Sequence, residues 1–154
     1  MTTTETLLDT AKTLLAPQAK QIAAPVPNRI DVSLEVNDLL AAVKALHDVH
    51  WGYLSAIVGL DHADSNEIEV VYVFCSGGAI ITLRLRTPHA EGAVPSICAI
   101  LPAATFFERE LSEMFGIAVT GTPNPDRLFL PDEWPADVYP LRKAYIVPQP
   151  ILEG

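Results

Sequence analysis

From Arg29 to Leu34 the chain alternates, with Ile30, Val32 and Leu34 on one side and Arg29, Asp31 and Ser33 on the other. That period of two predicts a half-buried strand. Ala79 to Arg86 repeats it: Ala79, Ile81, Leu83 and Leu85 face one way, and Ile80, Thr82, Arg84 and Arg86 the other. Tyr53–Leu60 is mostly apolar and Glu67–Cys75 is rich in β-branched residues, so both read as strands. Ser76-Gly77-Gly78 predicts a tight hairpin turn.

Helical spacing appears three times. Leu7, Leu8, Ala11, Leu14 and Leu15 follow Thr2 and Glu5 in capping-box positions. Leu39, Leu40, Val43, Leu46 and His47 follow Asn37, a candidate N-cap. Ala104, Phe107, Leu111, Met114 and Phe115 form the third stripe, closed by Gly116 as a left-handed C-cap. Pro17, Pro25 and Pro27 predict an irregular linker over 17–28, and Pro95 and Pro102 the starts of a short helical turn and of the third helix. The order α-β-α-β-β-β-α predicts an α+β fold, a small antiparallel or mixed sheet with helices packed on one face. The division is an α+β domain over 1–120, including a helix over 1–16 and the linker, and an extended irregular arm over 121–154.

Composition sharpens this. With 154 residues, 49% hydrophobic and 19% charged, the chain is expected to form one globular domain. A formal charge of −9 argues against nucleic acid or an anionic bilayer surface as partner. No basic stretch leads into an apolar one at the N-terminus and no apolar run is long enough to cross a bilayer, so a soluble cytoplasmic protein without direct bilayer insertion is expected. Cys75 and Cys98 have no CxxC spacing; they read as free thiols and cannot supply the four thiolates of an iron–sulfur cluster. His47, His50, Asp61, His62 and His89 do not form a metal-ligand spacing, and Asp61-His62 with Ser55 or Ser96 lacks a nucleophile elbow. Gly77-Gly78 is too short to cradle phosphate. Arg84 and Arg86 share a strand face, expected to be solvated or subunit-facing. No metal, cofactor or catalytic residue is assigned to this chain.

The stretch "FFERELSEMFGI" over 106–117 places Glu108 and Glu110 beside the apolar stripe, Arg109 opposite it with Glu113 four residues on, and Phe106 off it. A tail from Gly121 follows, holding seven of the thirteen prolines yet also Leu128, Phe129, Leu130, Trp134, Tyr139, Leu141, Tyr145, Ile146 and Val147. So many prolines preclude regular structure, and so many large apolar residues need a surface to cover them. That surface is either another protein or the chain's own domain.

"ERELSEMFGI", Gly121-Thr122-Pro123 and "DRLFLPDEWPADVYPLRK" together resemble the thirty-kilodalton subunit of respiratory complex I, over Thr105–Lys143. The wording with tryptophan-proline and tyrosine-proline is more similar to the equivalent subunit of membrane-bound energy-converting hydrogenases and formate hydrogenlyases. Departures occur at Gly121-Thr122-Pro123, where the family commonly has Gly-His-Pro, at Asp126-Arg127, where it has paired arginines, and at Ala144, where it has aspartate. The resemblance implies a non-catalytic peripheral-arm subunit on the cytoplasmic side of the cell membrane. Its expected partners are a hydrogenase-like large subunit with a nickel–iron [NiFe] centre and a small subunit with iron–sulfur clusters, the membrane arm being met indirectly. The alternative is the equivalent component of a quinone-reducing NADH dehydrogenase, complex I; a free-standing enzyme or an unrelated binding module is the remaining reading. The subunit-contacting residues expected are Phe106, Glu108, Arg109, Glu110, Arg127, Leu128, Phe129, Trp134, Tyr139, Leu141, Arg142 and Lys143, with Gly116, Gly121 and Pro123 structural. Glu108 and Glu110 are expected to bond amides near Gly121 or to pair with Arg127 or Arg142.

Overall fold

The computed structural model describes residues 2–149. Helix α1 (Thr3–Leu15) starts from the capping box, with the Glu5 N–H donating to Thr2 Oγ1 at 3.1 Å and the Thr2 N–H donating back to Glu5. Strands β1 (Ala19–Val26) and β2 (Arg29–Leu34) follow, then a 3-10 turn at Val36–Asp38 and α2 (Leu39–Asp48). The rest comprises β3 (Tyr53–His62), β4 (Glu67–Ser76), β5 (Ala79–Pro88), β6 (Ala93–Pro95), α3 (Ala104–Phe115) and β7 (Ala118–Thr120). From 121 to 149 the backbone forms turns and bends without helix or strand.

Five strands make one mixed sheet in the order β1-β2-β5-β4-β3, with β2 and β5 parallel and the other neighbours antiparallel. Val32, Leu83, Tyr72 and Ile57 lie side by side across β2, β5, β4 and β3 on the inner face. Leu8, Ala11 and Leu15 of α1, Leu39, Val43 and Leu46 of α2, and Leu111 and Phe115 of α3 join them in one core. Each large apolar side chain so buried contributes roughly 1.5–3 kcal/mol.

The outer face carries a polar ladder. Thr82 donates to Asp31 at 2.7 Å, Arg84 Nε to Glu69 Oε1 at 2.7 Å, and His62 Nε2 lies 2.8 Å from Glu69 Oε2. Burial of Glu69 acts to raise its pKa, but Arg84 and His62 outweigh it and hold the carboxyl below its ordinary range. Arg86 pairs with Glu67 at 3.1 Å, so both arginines of β5 have carboxylates in their own chain.

Three expectations are corrected. Residues 19–26 are a strand, not a linker: β1 is a sheet edge paired on one side only, with irregular register at both ends, and an edge tolerates Pro25 without its N–H. Its mostly exposed side chains left no alternation to read. Pro95 ends β6, which pairs parallel with β7, and the short helical turn begins two residues later, where the Ile100 and Leu101 N–H groups both donate to the Ile97 carbonyl. Asn37 lies inside the 3-10 turn that leads into α2, which has no side-chain cap. Met1 and 150–154, assigned above to the first helix and the arm, lie outside the described residues.

Helix α3 docks on β3 where Gly59 faces the Phe115 ring, leaving no room for a Cβ: an added methyl carbon would stand 2.5 Å from Phe115 Cε2. Gly59→Ala is therefore expected to cost about 1–3 kcal/mol of overpacking. Thermal unfolding of the variant, followed by circular dichroism, should show a melting temperature lower by roughly 2–12 °C.

Candidate subunit-contacting site

Helix α3 distributes its charges by depth. Glu108 is only 1% exposed. Its carboxylate accepts from the Ile97 N–H at 2.7 Å, the Ser96 hydroxyl at 2.8 Å and the Cys98 thiol at 3.1 Å. It bonds neither the turn at Gly121 nor an arm arginine; the 96–98 loop, folded over the start of α3, supplies its donors instead. Burial and the adjoining Glu108 push the Cys98 thiol pKa up, despite an opposing bond from Ser96.

The next residue, Arg109, points to the arm rather than away from the molecule. It donates to the carbonyl oxygens of Asp126 and Arg127, both at 2.8 Å. Glu113 accepts from three successive arm amides, Leu128, Phe129 and Leu130, at 3.1, 2.9 and 2.9 Å. Successive N–H groups converging on one anion form a nest, here occupied from within the chain. Arg127 closes the loop by donating to the Pro131 carbonyl at 2.8 Å. Glu110 makes no ion pair or hydrogen bond among the described residues, and Phe106 is 57% exposed.

A second clip holds residues 141–143. The Leu141 N–H donates to Met114, Arg142 donates to the carbonyls of Phe115 (2.7 Å) and His89 (2.9 Å), and the Lys143 N–H donates to Asp61 Oδ2 at 2.7 Å. Asp61 Oδ1 meets His89 Nε2 at 2.5 Å. Strand alternation turns Asp61 inward and His62 outward, so the adjacent pair acts in two unrelated places. Burial acts to raise the Asp61 pKa, but Lys143 and His89 outweigh it and leave the carboxyl below its ordinary range.

Between the clips, Trp134 donates to the Val138 carbonyl at 2.8 Å and lies against Tyr145, with ring centroids 6.0 Å apart. Tyr139 covers Gly116, whose φ of 73° closes α3, and receives the Arg142 guanidinium 4.8 Å above its ring. Gly121, at φ 79°, turns the chain out of β7, with Pro123 exposed just beyond. A cleft of about 390 Å³ remains between α3 and the arm, lined by Arg109, Glu113, Trp134 and Tyr139 among others. Its two charged α3 side chains are already bonded to arm backbone. Outside the clips, Phe129 is 63% and Ile146 83% exposed, and Leu141, Val147 and the Lys143 ammonium are exposed as well. Sequence reasoning missed Asp61, His89 and Glu113 as arm holders; a carboxylate beside a histidine and one four residues after an arginine have more familiar local readings.

Fold and clips define a small α+β domain with a strapped, proline-rich C-terminal arm. The family model for the respiratory-chain NADH dehydrogenase 30 Kd subunit matches residues 32–150, and the chain belongs to that family. It is 35% identical to formate hydrogenlyase subunit 5 of Escherichia coli K12 over 75% of this chain and 21% of that one. It is 31% identical to hydrogenase-4 component G of the same organism, over 90% and 26% respectively. The C-type subunit of NADH-quinone oxidoreductase from a Nocardioides strain is 32% identical over 81% of this chain and 54% of its own. The chain thus spans about a fifth to about half the length of these curated relatives. Among solved structures, a chain of an archaeal respiratory complex, the membrane-bound sulfane sulfur reductase, superposes with a TM-score of 0.79 at 21% identity, covering 92% of this chain and 86% of that one. A trypsin-resistant fragment of Nqo5 gives 0.58 at 24%, covering 78% and 97%. At these identities the likeness is one of fold. No helix among the described residues is long and apolar enough to cross a membrane.

Two outcomes follow from the clips and the buried carboxylate. Because the Asp61 pKa is depressed by folding, its contribution is present above the unfolded carboxylate value of about 3.9 and is lost as pH falls through the lower folded value. The protection factor of the Lys143 amide in hydrogen exchange, taken against the intrinsic rate at each pH, should therefore be high at neutral pH and fall in acid; in Asp61→Asn it should be lower already at neutral pH. Glu108→Ala should destabilise the whole domain by about 2–4 kcal/mol, since buried donors lose their acceptor. Urea unfolding would register this as a lowered midpoint with an unchanged slope.

Proposed function

We propose that this chain is a non-catalytic peripheral-arm subunit that scaffolds the large and the iron–sulfur small subunits of a membrane-bound, ion-translocating, energy-converting nickel–iron hydrogenase complex. The observation that carries the reading is the arm itself. Polar bonds from α3 and from the Asp61 clip hold its backbone, while Phe129, Leu141, Ile146 and Val147 stay exposed, as does Phe106 of α3. Exposed large apolar side chains on a pre-ordered segment suit association with another protein, because the ordering entropy is already met before contact.

The relatives supply the kind of neighbour. In formate hydrogenlyase subunit 5 and hydrogenase-4 component G, the matching region is a fifth to a quarter of a much longer chain. The remainder of such a chain is what the arm would meet, in the same polypeptide or in a separate one. In this reading the domain holds no redox centre; the nickel–iron centre and the iron–sulfur clusters belong to its neighbours, at the cytoplasmic side of the membrane. Its contribution is register: electron transfer between centres and coupling to the membrane arm depend on the neighbours staying at fixed separation. The similarity to the NADH-quinone oxidoreductase relative supports a second reading, in which the same scaffold serves a quinone-reducing complex.

Purification of the tagged chain from native membranes in mild detergent, with mass spectrometry and metal analysis, tests both. Nickel and iron with a large subunit support the hydrogenase reading, and flavin- or quinone-linked subunits support the second; the chain alone would overturn both. Trp134→Ala and Arg142→Ala are expected to reduce recovery of the large subunit several-fold while the domain's own melting temperature changes by less than about 4 °C, as befits contacts outside the core.

A further inference from the structure

We infer that the outer lobe of the arm, residues 126–137, docks on a Lys/Arg-bearing surface of the neighbouring subunit with pockets for aromatic side chains. The inference rests on the scaffold reading above and specifies the chemistry of the partner face. The lobe carries four exposed carboxylates, Asp126, Asp132, Glu133 and Asp137, against one arginine. None of the four lies in an ion pair among the described residues; Asp137 accepts only a Tyr139 hydroxyl bond at 3.3 Å.

The cations of the sheet and of the first two helices behave differently. Lys12, Lys20, Arg29, Lys44, Arg84 and Arg86 each face a carboxylate of the chain. Arg109 and Arg127, the cations nearest the lobe, are turned into its backbone carbonyls, so they shape the lobe without neutralising its carboxylates. Phe129 rises from the lobe and Phe106 from α3, both exposed, and unpaired Glu110 stands on the same helix.

A lobe that exposes an aromatic side chain and four unpaired carboxylates matches a partner face that offers apolar pockets and basic side chains. There the aromatic side chain supplies the contact and the charges supply steering and register. A second copy of this chain is a poor occupant, since at −9 it would set carboxylate against carboxylate. An anionic lipid surface fails for the same reason.

The test uses the full chain and the purified large subunit of its complex, with binding measured against salt concentration. The wild-type chain should bind, and weaken as salt rises. Asp132→Lys combined with Glu133→Lys should weaken binding about tenfold or more at low ionic strength, with the difference shrinking at about 0.5 M salt. Asp132→Asn with Glu133→Gln should fall between, and Phe129→Ala should weaken binding without altering its salt dependence. Wild-type binding that is indifferent to salt and to both charge variants would overturn this inference and leave the scaffold standing. Absence of wild-type binding would overturn both.

Discussion

Three amide hydrogens converge on the Glu113 carboxylate, and the particular shape of this protein's C-terminal part depends on that convergence. A segment with a proline every few residues cannot use its remaining N–H and C=O groups in a ladder or helix of its own. Another part of the chain must take them. Helix α3 does so from one side, with a carboxylate for the donors and Arg109 for the acceptors. Four residues apart, the two side chains lie on one face of the helix, so one element answers both kinds of orphaned group.

The domain repeats this use of charge on neutral backbone. Glu108 bonds an amide, a hydroxyl and a thiol, and Asp61 an amide and a histidine. Buried carboxylates held this way are costly to lose, because removing one strands several donors at once. They also separate two jobs within a single helix. Glu108 ties α3 to the 96–98 loop and belongs to the domain, whereas Arg109, the next residue, and Glu113, one turn beyond it, belong to the arm. The middle of the sheet needs no such device: its outer face pairs its own charges, and Val32, Leu83, Tyr72 and Ile57 run across the inner face of four strands, with Asp61 at the end of β3.

From these parts comes a domain that offers an ordered but irregular surface. A free proline-rich tail would pay its ordering entropy on contact. Here the strap is already in place at two points, and the side chains left outside are large and apolar or unpaired and acidic. In the much longer relatives the matching region is a fifth to a quarter of the chain.

What could be read in the sequence was whatever depends on near neighbours. The alternation in β2 and β5, the Thr2–Glu5 capping box, the hairpin at Gly77 and the Gly116 cap all reflect constraints closed within a few residues, so local pattern reveals them. The irregular arm was legible from its prolines, and the family from motifs spread over α3 and that arm. Edge strand β1 was not legible, because an exposed edge imposes no alternation. Tertiary structure alone decided the roles of Glu108, Glu113 and Asp61. Each carboxylate's partners lie 10 to 82 residues away in sequence, brought within hydrogen-bond reach only after the sheet, α3 and the arm have packed.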